Sequence, residues 1–458
     1  MSQGLMSQTG QIVGGRRIGG LLLRGALGRL QVAVGASAVL WACVLWASLS
    51  QPVPPKPEEP PPPSPPSLRR IVGTGQQTPI GGIFDRFDVE SQPIVAPVNG
   101  NGQVAFYSTI LRNKATEGIF LTRDGKVTKV AVVGDSVPGG GILTQFAQHP
   151  IPSLNDSGTV TFGAEVSLAQ ASEGIFMAKD GKLTAVAVVG GDAPGVVGGT
   201  FAQLDTPMMN DRDEVAFVAT VRHGRDTFEA LYLYSNGRLR KLLAERDPYL
   251  GGGFFEQFGL PAINNRGVVA LAVTLDHGPA LGGIFVTGTR DLKMLVGAGA
   301  PAPDGRMILR FSERLAIDDD DNVAFGAHLG KGTERSEAVL KVNTSGVMMI
   351  AAAGDAAPGG GKFAGFGEWP SAGPAGRVAF VAAINDGPGP IGIFAWQGGT
   401  ISRLVLAGEK LPDGSALPPF ALNPVTSAGT NGGVSFATMG DPELGGSRIY
   451  YFGPTPRQ

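Results

Sequence analysis

Cysteine is almost missing from this 458-residue chain: Cys43 is the only one, and it lies inside an uncharged N-terminal stretch. The body that follows therefore has neither a disulfide framework nor a thiolate metal site. Net charge is nearly absent too, at −2, which removes the electrostatic case for nucleic acid or an anionic lipid surface as a partner of the body. No stretch beyond the N-terminal region shows a 3.6-residue apolar period, so no amphipathic helix is predicted. Catalytic signatures are missing as well. There is no Ser-centred nucleophile elbow, no His-Glu-x-x-His, and no Gly-rich phosphate loop opening a helix. The triplets Gly139–Gly141, Gly251–Gly253 and Gly359–Gly361 precede strand-like segments and cannot seat a phosphate on a helix N-terminus. The chemistry of the sequence points away from an enzyme without excluding one.

What is present is a repeat. An Asn/Asp-rich turn followed by Val-Ala-Phe or a close variant ends at Phe106, Phe162, Phe217, Leu271, Phe325, Phe380 and Phe436, in steps of 56, 55, 54, 54, 55 and 56 residues. A fixed period of this size denotes one supersecondary unit that buries its apolar face against its neighbours. The second unit shows the parts: residues 146–154, the turn Asn155–Gly158, then 159–166, 173–179 and 182–190, the last two joined at Asp180-Gly181. These runs are short, rich in Val, Phe and Ile, and bounded by turn residues, which is the pattern of antiparallel strands joined by hairpins. Gly and Pro recur at the punctuation points, so their abundance reflects turns rather than disorder.

The two ends of the array complement each other. The last unit supplies 417–425, 433–439 and 447–452 and stops one strand short, whereas residues 69–79 align with 129–138, the outermost strand of a unit. Phe84 and Phe87 then match the aromatic opening of later units, such as Phe255 and Phe258 or Phe363 and Phe366. The sequence thus predicts an all-β, seven-bladed β-propeller over 68–453, closed by its N-terminal strand, with 454–458 as a tail.

Ahead of it lie three further segments. Residues 1–30 form a basic leader with Arg16, Arg17, Arg24 and Arg29, and 31–50 contain 18 consecutive uncharged residues, the threshold for a membrane-spanning helix. The arginine excess predicts a single pass with the N-terminus in the cytoplasm and the propeller in the periplasm or outside. A cleavable signal peptide, with Ser48 and Ser50 before Gln51, is the alternative and would release a secreted protein. Weaker readings are a lipobox at Leu40–Cys43 and a twin-arginine signal at Arg16-Arg17. Residues 51–67 are a proline-rich linker with ten prolines in positions 52–66, a polyproline II stalk at roughly 3.1 Å per residue.

The Asn-x-x-Gly-x-Val-Ala-Phe phrase, most faithful at Asn99–Phe106, resembles that of the bacterial choice-of-anchor tandem-repeat proteins with an NxxGxxAF motif. The resemblance spans 68–453 and implies export on an interchangeable anchor; it implies no reaction or ligand. The fifth unit, Asp318–Asn322, and the sixth, Pro374–Gly376, depart from the phrase.

The expected function is a membrane-tethered, extracytoplasmic, non-enzymatic binding or scaffold module, whose partner is an extracytoplasmic protein or glycan. The alternative is a propeller lyase or hydrolase with a site at the channel mouth. Candidate metal ligands are the acids ending the outermost strands, Asp135, Asp192, Asp247, Asp355 and Glu409, with His223 and His277 in loops on the same face; His328 follows in the next unit. Turn capping explains the acids equally well. No cofactor is implied beyond a cation such as calcium, for which Asp318–Asp321 is the densest carboxylate run. Trp369 and Trp396, the body's two tryptophans, fit burial between blades or a sugar-stacking platform.

Overall fold

The computed structural model describes residues 66–454 apart from 89–92, 124, 147–149, 168–170, 289–291, 412, 421–426, 429–430, 439 and 441–445. The leader, the apolar segment 31–50 and nearly all of the proline-rich linker lie outside the described residues. Among those described, no helix is long and apolar enough to cross a membrane.

The described strands form seven antiparallel sheets, each one blade of a β-propeller. In the second blade Ile142–Phe146 and Ser153–Leu154 form the two halves of the innermost strand against Val160–Ser167, followed outward by Glu173–Lys179 and Lys182–Val188. The innermost strand thus begins four residues before the predicted start at 146. The preceding Gly139, Gly140 and Gly141 all have positive φ, which turns the chain into the strand at Ile142. Ile142 opposes Ser167 and Leu154 opposes Val160. Each innermost strand therefore starts on the face of the second-to-third-strand loop and ends on the opposite face, at the Asn-x-x-Gly turn.

Closure follows the predicted route. Ser67–Gly73 pairs antiparallel with Arg448–Gly453 and completes the last blade as its outermost strand. A bulge marks the outermost strand at one register, as between Ala185 and Ala187 in the second blade, and the N-terminal strand repeats it between Arg70 and Val72. The bulge twists the strand, so the borrowed strand has the geometry of the position it fills.

Alternation along the second strand explains the repeat. In Val215-Ala216-Phe217-Val218, Val215 and Phe217 pack toward the second blade, whereas Ala216 and Val218 pack toward the fourth. The six repeat phenylalanines and Leu271 have no solvent exposure. Several stack on an aromatic one strand out, such as Phe217 on Tyr232 and Phe380 on Phe394, with centroids 5.9 Å apart in both pairs. Seven such clusters, one at each blade–blade seam, hold the ring together by burial of apolar surface.

Candidate channel site

The Asn-x-x-Gly turns meet around the central channel. In the first of them, Asn99 Oδ1 accepts from the backbone N–H groups of Asn101 and Gln103, the expected Asx capping. Its Nδ2 donates outward, to the carbonyl of Asn155 in the next blade at 2.9 Å. Asn155 passes the bond to the carbonyl of Asn210, Asn210 to that of Asn264, and Asn264 to that of Asp318. One residue further on, a second belt runs alongside: the N–H groups of Gly100, Asp156, Asp211 and Asn265 donate to side-chain oxygens of Asp156, Asp211, Asn265 and Asp319. The turns are thus rivets between blades as well as hairpins. The fourth turn position has positive φ in every blade, and where Asp213 and Asp321 replace glycine their carboxylates accept from Asn155 and Asn264. That bond offsets the strain of a non-glycine residue there.

Inside this belt lies a cavity of about 440 Å³, within the size range of small-molecule sites. Asp156, Asp211, Asp319 and Asp320 stand on its rim. Asp211 is held above the usual carboxylate range by burial and by the neighbouring charges of Asp156 and Asp319. The walls are small or apolar, including Ser153, Met208, Ala262, Ala316 and Ser371.

Part of the floor comes from the residue four positions before a turn, which lines the cavity at Arg314 and Trp369. That register reads Val95, Ile151, Thr206, Leu260, Arg314 and Trp369 in the first six blades. Trp369 packs against Val95 and Ile151, so three blades touch across the axis. The Arg314 guanidinium lies 5.0 Å from the centre of the Trp369 ring, and its Nη2 is 3.5 Å from Met208 Sδ. Its Nη1 is buried with no hydrogen-bond partner among the described residues. Burial pulls its pKa down to about 10, so it is still a cation at neutral pH. Trp396 is buried between the fifth and sixth blades, beneath the Lys341 amine at 4.4 Å. Trp369 instead faces the channel and is only partly buried, which corrects its placement between blades.

The acids ending the outermost strands lie on separate blades, and Asp135, Asp247, Asp355 and Glu409 have local partners. Asp135, Asp247 and Asp355 accept from the N–H three residues back, on Val132, Ala244 and Ala352. Gln76 makes the same bond to Gly73, so the position caps its turn with or without a charge. Asp135 also pairs with Lys129 at 2.8 Å and Glu409 with Arg403 at 3.3 Å. Asp192 is exposed beside a bridge to Thr200. His223 is the exposed last residue of the strand Val215–His223, His277 pairs with Asp276 at 2.7 Å, and His328 is 3.8 Å from Glu368. Among the described residues no three His, Cys, Asp or Glu side chains group as a metal site. At Asp318–Asp321 the run is divided: Asp318 caps its turn through Asp320 and Asn322, Asp319 accepts from Asn265, and Asp321 accepts from Asn264.

Arg314 escaped the sequence reading. Its signal is a charge at a register that is apolar or neutral in the other five blades, visible once the repeats are aligned on their turns.

The propeller has low-similarity counterparts among solved structures. An oligogalacturonate lyase in complex with manganese is 11% identical with a TM-score of 0.46, over 86% of this chain and 98% of that one. The polysaccharide lyase Uly1 is 10% identical at 0.47, over 86% and 99%. A puromycin-hydrolysing peptidase from Mycobacterium tuberculosis is 16% identical at 0.41, over 82% of this chain and 53% of that one. No curated protein matches the chain in sequence. Residues 64–390 match the model of a family of unknown function, DUF7453, and the chain belongs to that family.

Proposed function

We propose that this DUF7453 member is a binding module, carried outside the cytoplasm on an anchor at 31–50 and a stalk at 51–67, that takes a small ligand bearing a cationic group into the channel cavity. The anchor reading rests on the uncharged stretch and on the arginines before it, as in the choice-of-anchor proteins whose motif the repeats resemble.

The observation that carries the binding reading is the rim. Asp156, Asp211 and Asp319 are fixed as acceptors for backbone N–H groups of neighbouring blades. Their bonds to the neighbouring blades hold them in fixed orientation, which suits attraction of a cation. Asp320 adds an exposed carboxylate to the mouth of the cavity. Carboxylates around a concave mouth concentrate field and draw in cations, an effect that salt weakens.

The test is a titration of the full chain with hexylamine, read by tryptophan fluorescence, because Trp369 forms the cavity floor. A saturable change is expected that shrinks at high salt, weakens in Asp320→Asn and disappears in Trp369→Phe. A response unchanged by Trp369→Phe would place the amine elsewhere and sink the reading.

A further inference from the structure

We infer that the floor of the channel cavity is a carboxylate site, with Arg314 as its anchor, and that the ligand is a small zwitterion. This rests on the channel reading above and names the ligand class of the same cavity. A guanidinium away from water is expensive unless paired, and proteins rarely bury arginine without a counter-charge. Here no carboxylate of the described residues reaches Arg314. Its contacts are a thioether at 3.5 Å and an aromatic face at 5.0 Å, and Nη1 has no partner. Arg314 and Trp369 both line the cavity. A planar fork of N–H donors matches a carboxylate better than a spherical anion.

The rim limits what else the ligand can carry. A polyanion would have to pass Asp156, Asp211, Asp319 and Asp320, whereas a ligand with one carboxylate and one amine satisfies floor and rim together. An ω-amino acid is the simplest ligand with one group for each.

The bland alternative is a structural arginine, a floor tile held by the Trp369 ring. The two readings part on binding. The full chain is titrated by calorimetry with 6-aminohexanoate, hexanoate and hexylamine, as wild type, Arg314→Met, Arg314→Lys and Asp320→Asn. The expected order for wild type is 6-aminohexanoate first, binding at least about tenfold more tightly than hexylamine, in line with a charge-assisted hydrogen bond. Arg314→Met should erase that preference. Arg314→Lys should keep only part of it, and Asp320→Asn should weaken both amines and spare hexanoate. If Arg314→Met does not fold, the preference in wild type and its reduction in Arg314→Lys still decide. Wild type that binds hexylamine with no preference for 6-aminohexanoate overturns the carboxylate site and leaves the channel reading standing. No response to any of the three probes overturns both.

Discussion

The side-chain amide of Asn264 donates to the backbone carbonyl of Asp318 at 2.9 Å, and there the relay of donors stops. The four preceding turns carry an amide that caps with its oxygen and reaches the next blade with its nitrogen. The Asp318 side chain has no N–H to send on; it accepts instead from Asn322 Nδ2 at 2.8 Å. Beyond it the ring is stitched differently, by Arg377 donating to the carbonyl of Gly432 and Arg69 to that of Gly102.

Replacing Asn210 by Asp should therefore break a seam rather than a turn. The new carboxylate keeps the capping oxygen but loses the bond to Asn264 and faces Glu214, which now accepts from Asn210 at 2.7 Å. A cost of about 1–3 kcal/mol at neutral pH is expected, measured by urea unfolding. Lowering the pH through the carboxyl range should recover part of it, because a protonated Asp can donate again. A deficit that stays constant between pH 7 and 4 would count against the relay.

Phe162 and Phe217 sit fully buried at seams, and Phe→Ala at either should cost about 3–5 kcal/mol. Phe254, at 47% exposure on the rim of the fourth blade, is the control and should cost about 1 kcal/mol or less. Equal melting shifts for the three would show that the seams do not carry the stability.

Val72 lies in the borrowed strand, 1% exposed in the cluster that joins the last blade to the first. Val72→Asp puts an unpaired carboxylate there and should destabilise by several kcal/mol, on the order of 3–5. Removing Ser67–Gly73 should do more and leave Arg448–Gly453 as an open sheet edge that promotes association. Melting curves and light scattering on both variants check this. A truncated chain that stays monomeric with an unchanged midpoint would refute closure by this strand.

Asp211 gives a pH signature. Burial, with Asp156 and Asp319 nearby, raises its pKa above the unfolded value. The folded state then holds this proton more tightly than the unfolded chain does. The group accordingly opposes folding above its folded pKa, and the opposition fades as pH falls toward the ordinary carboxylate value. The stability of wild type minus that of Asp211→Asn should rise as pH drops from 6 to 4. A difference that falls instead would mean that the carboxylate is stabilised where it stands.

Much of the fold was legible because the repeat fixes it. Phe106 to Phe436 mark the register, and the alignment of 69–79 with 129–138 gives the closure. The innermost strand was cut short because the stretch between Phe146 and Ser153, with Pro150 and Pro152, hides the fact that Ile142 already pairs with Ser167. The site was less legible for a geometric reason. Arg314, Trp369, Val95 and Ile151 are far apart in sequence and meet only because every innermost strand lines one axis. The acids at Asp135 and its equivalents recur just as regularly, but at the blade periphery, where repetition separates side chains instead of gathering them. Asn99 and its counterparts read correctly as turn caps, while their second bond to the next blade needed the ring itself to be seen.

The pairing of Ser67 with Gly453 also sets a timetable. These partners are 386 residues apart, and closing such a span costs on the order of 5 kcal/mol in chain entropy. The first strand leaves the ribosome before any blade exists, yet its seat is made by a strand that begins only at Arg448. Six blades can stack before then, but the seventh must wait for Arg448–Gly453. Until Arg448–Gly453 is in place the ring stays unclasped and its edge bare.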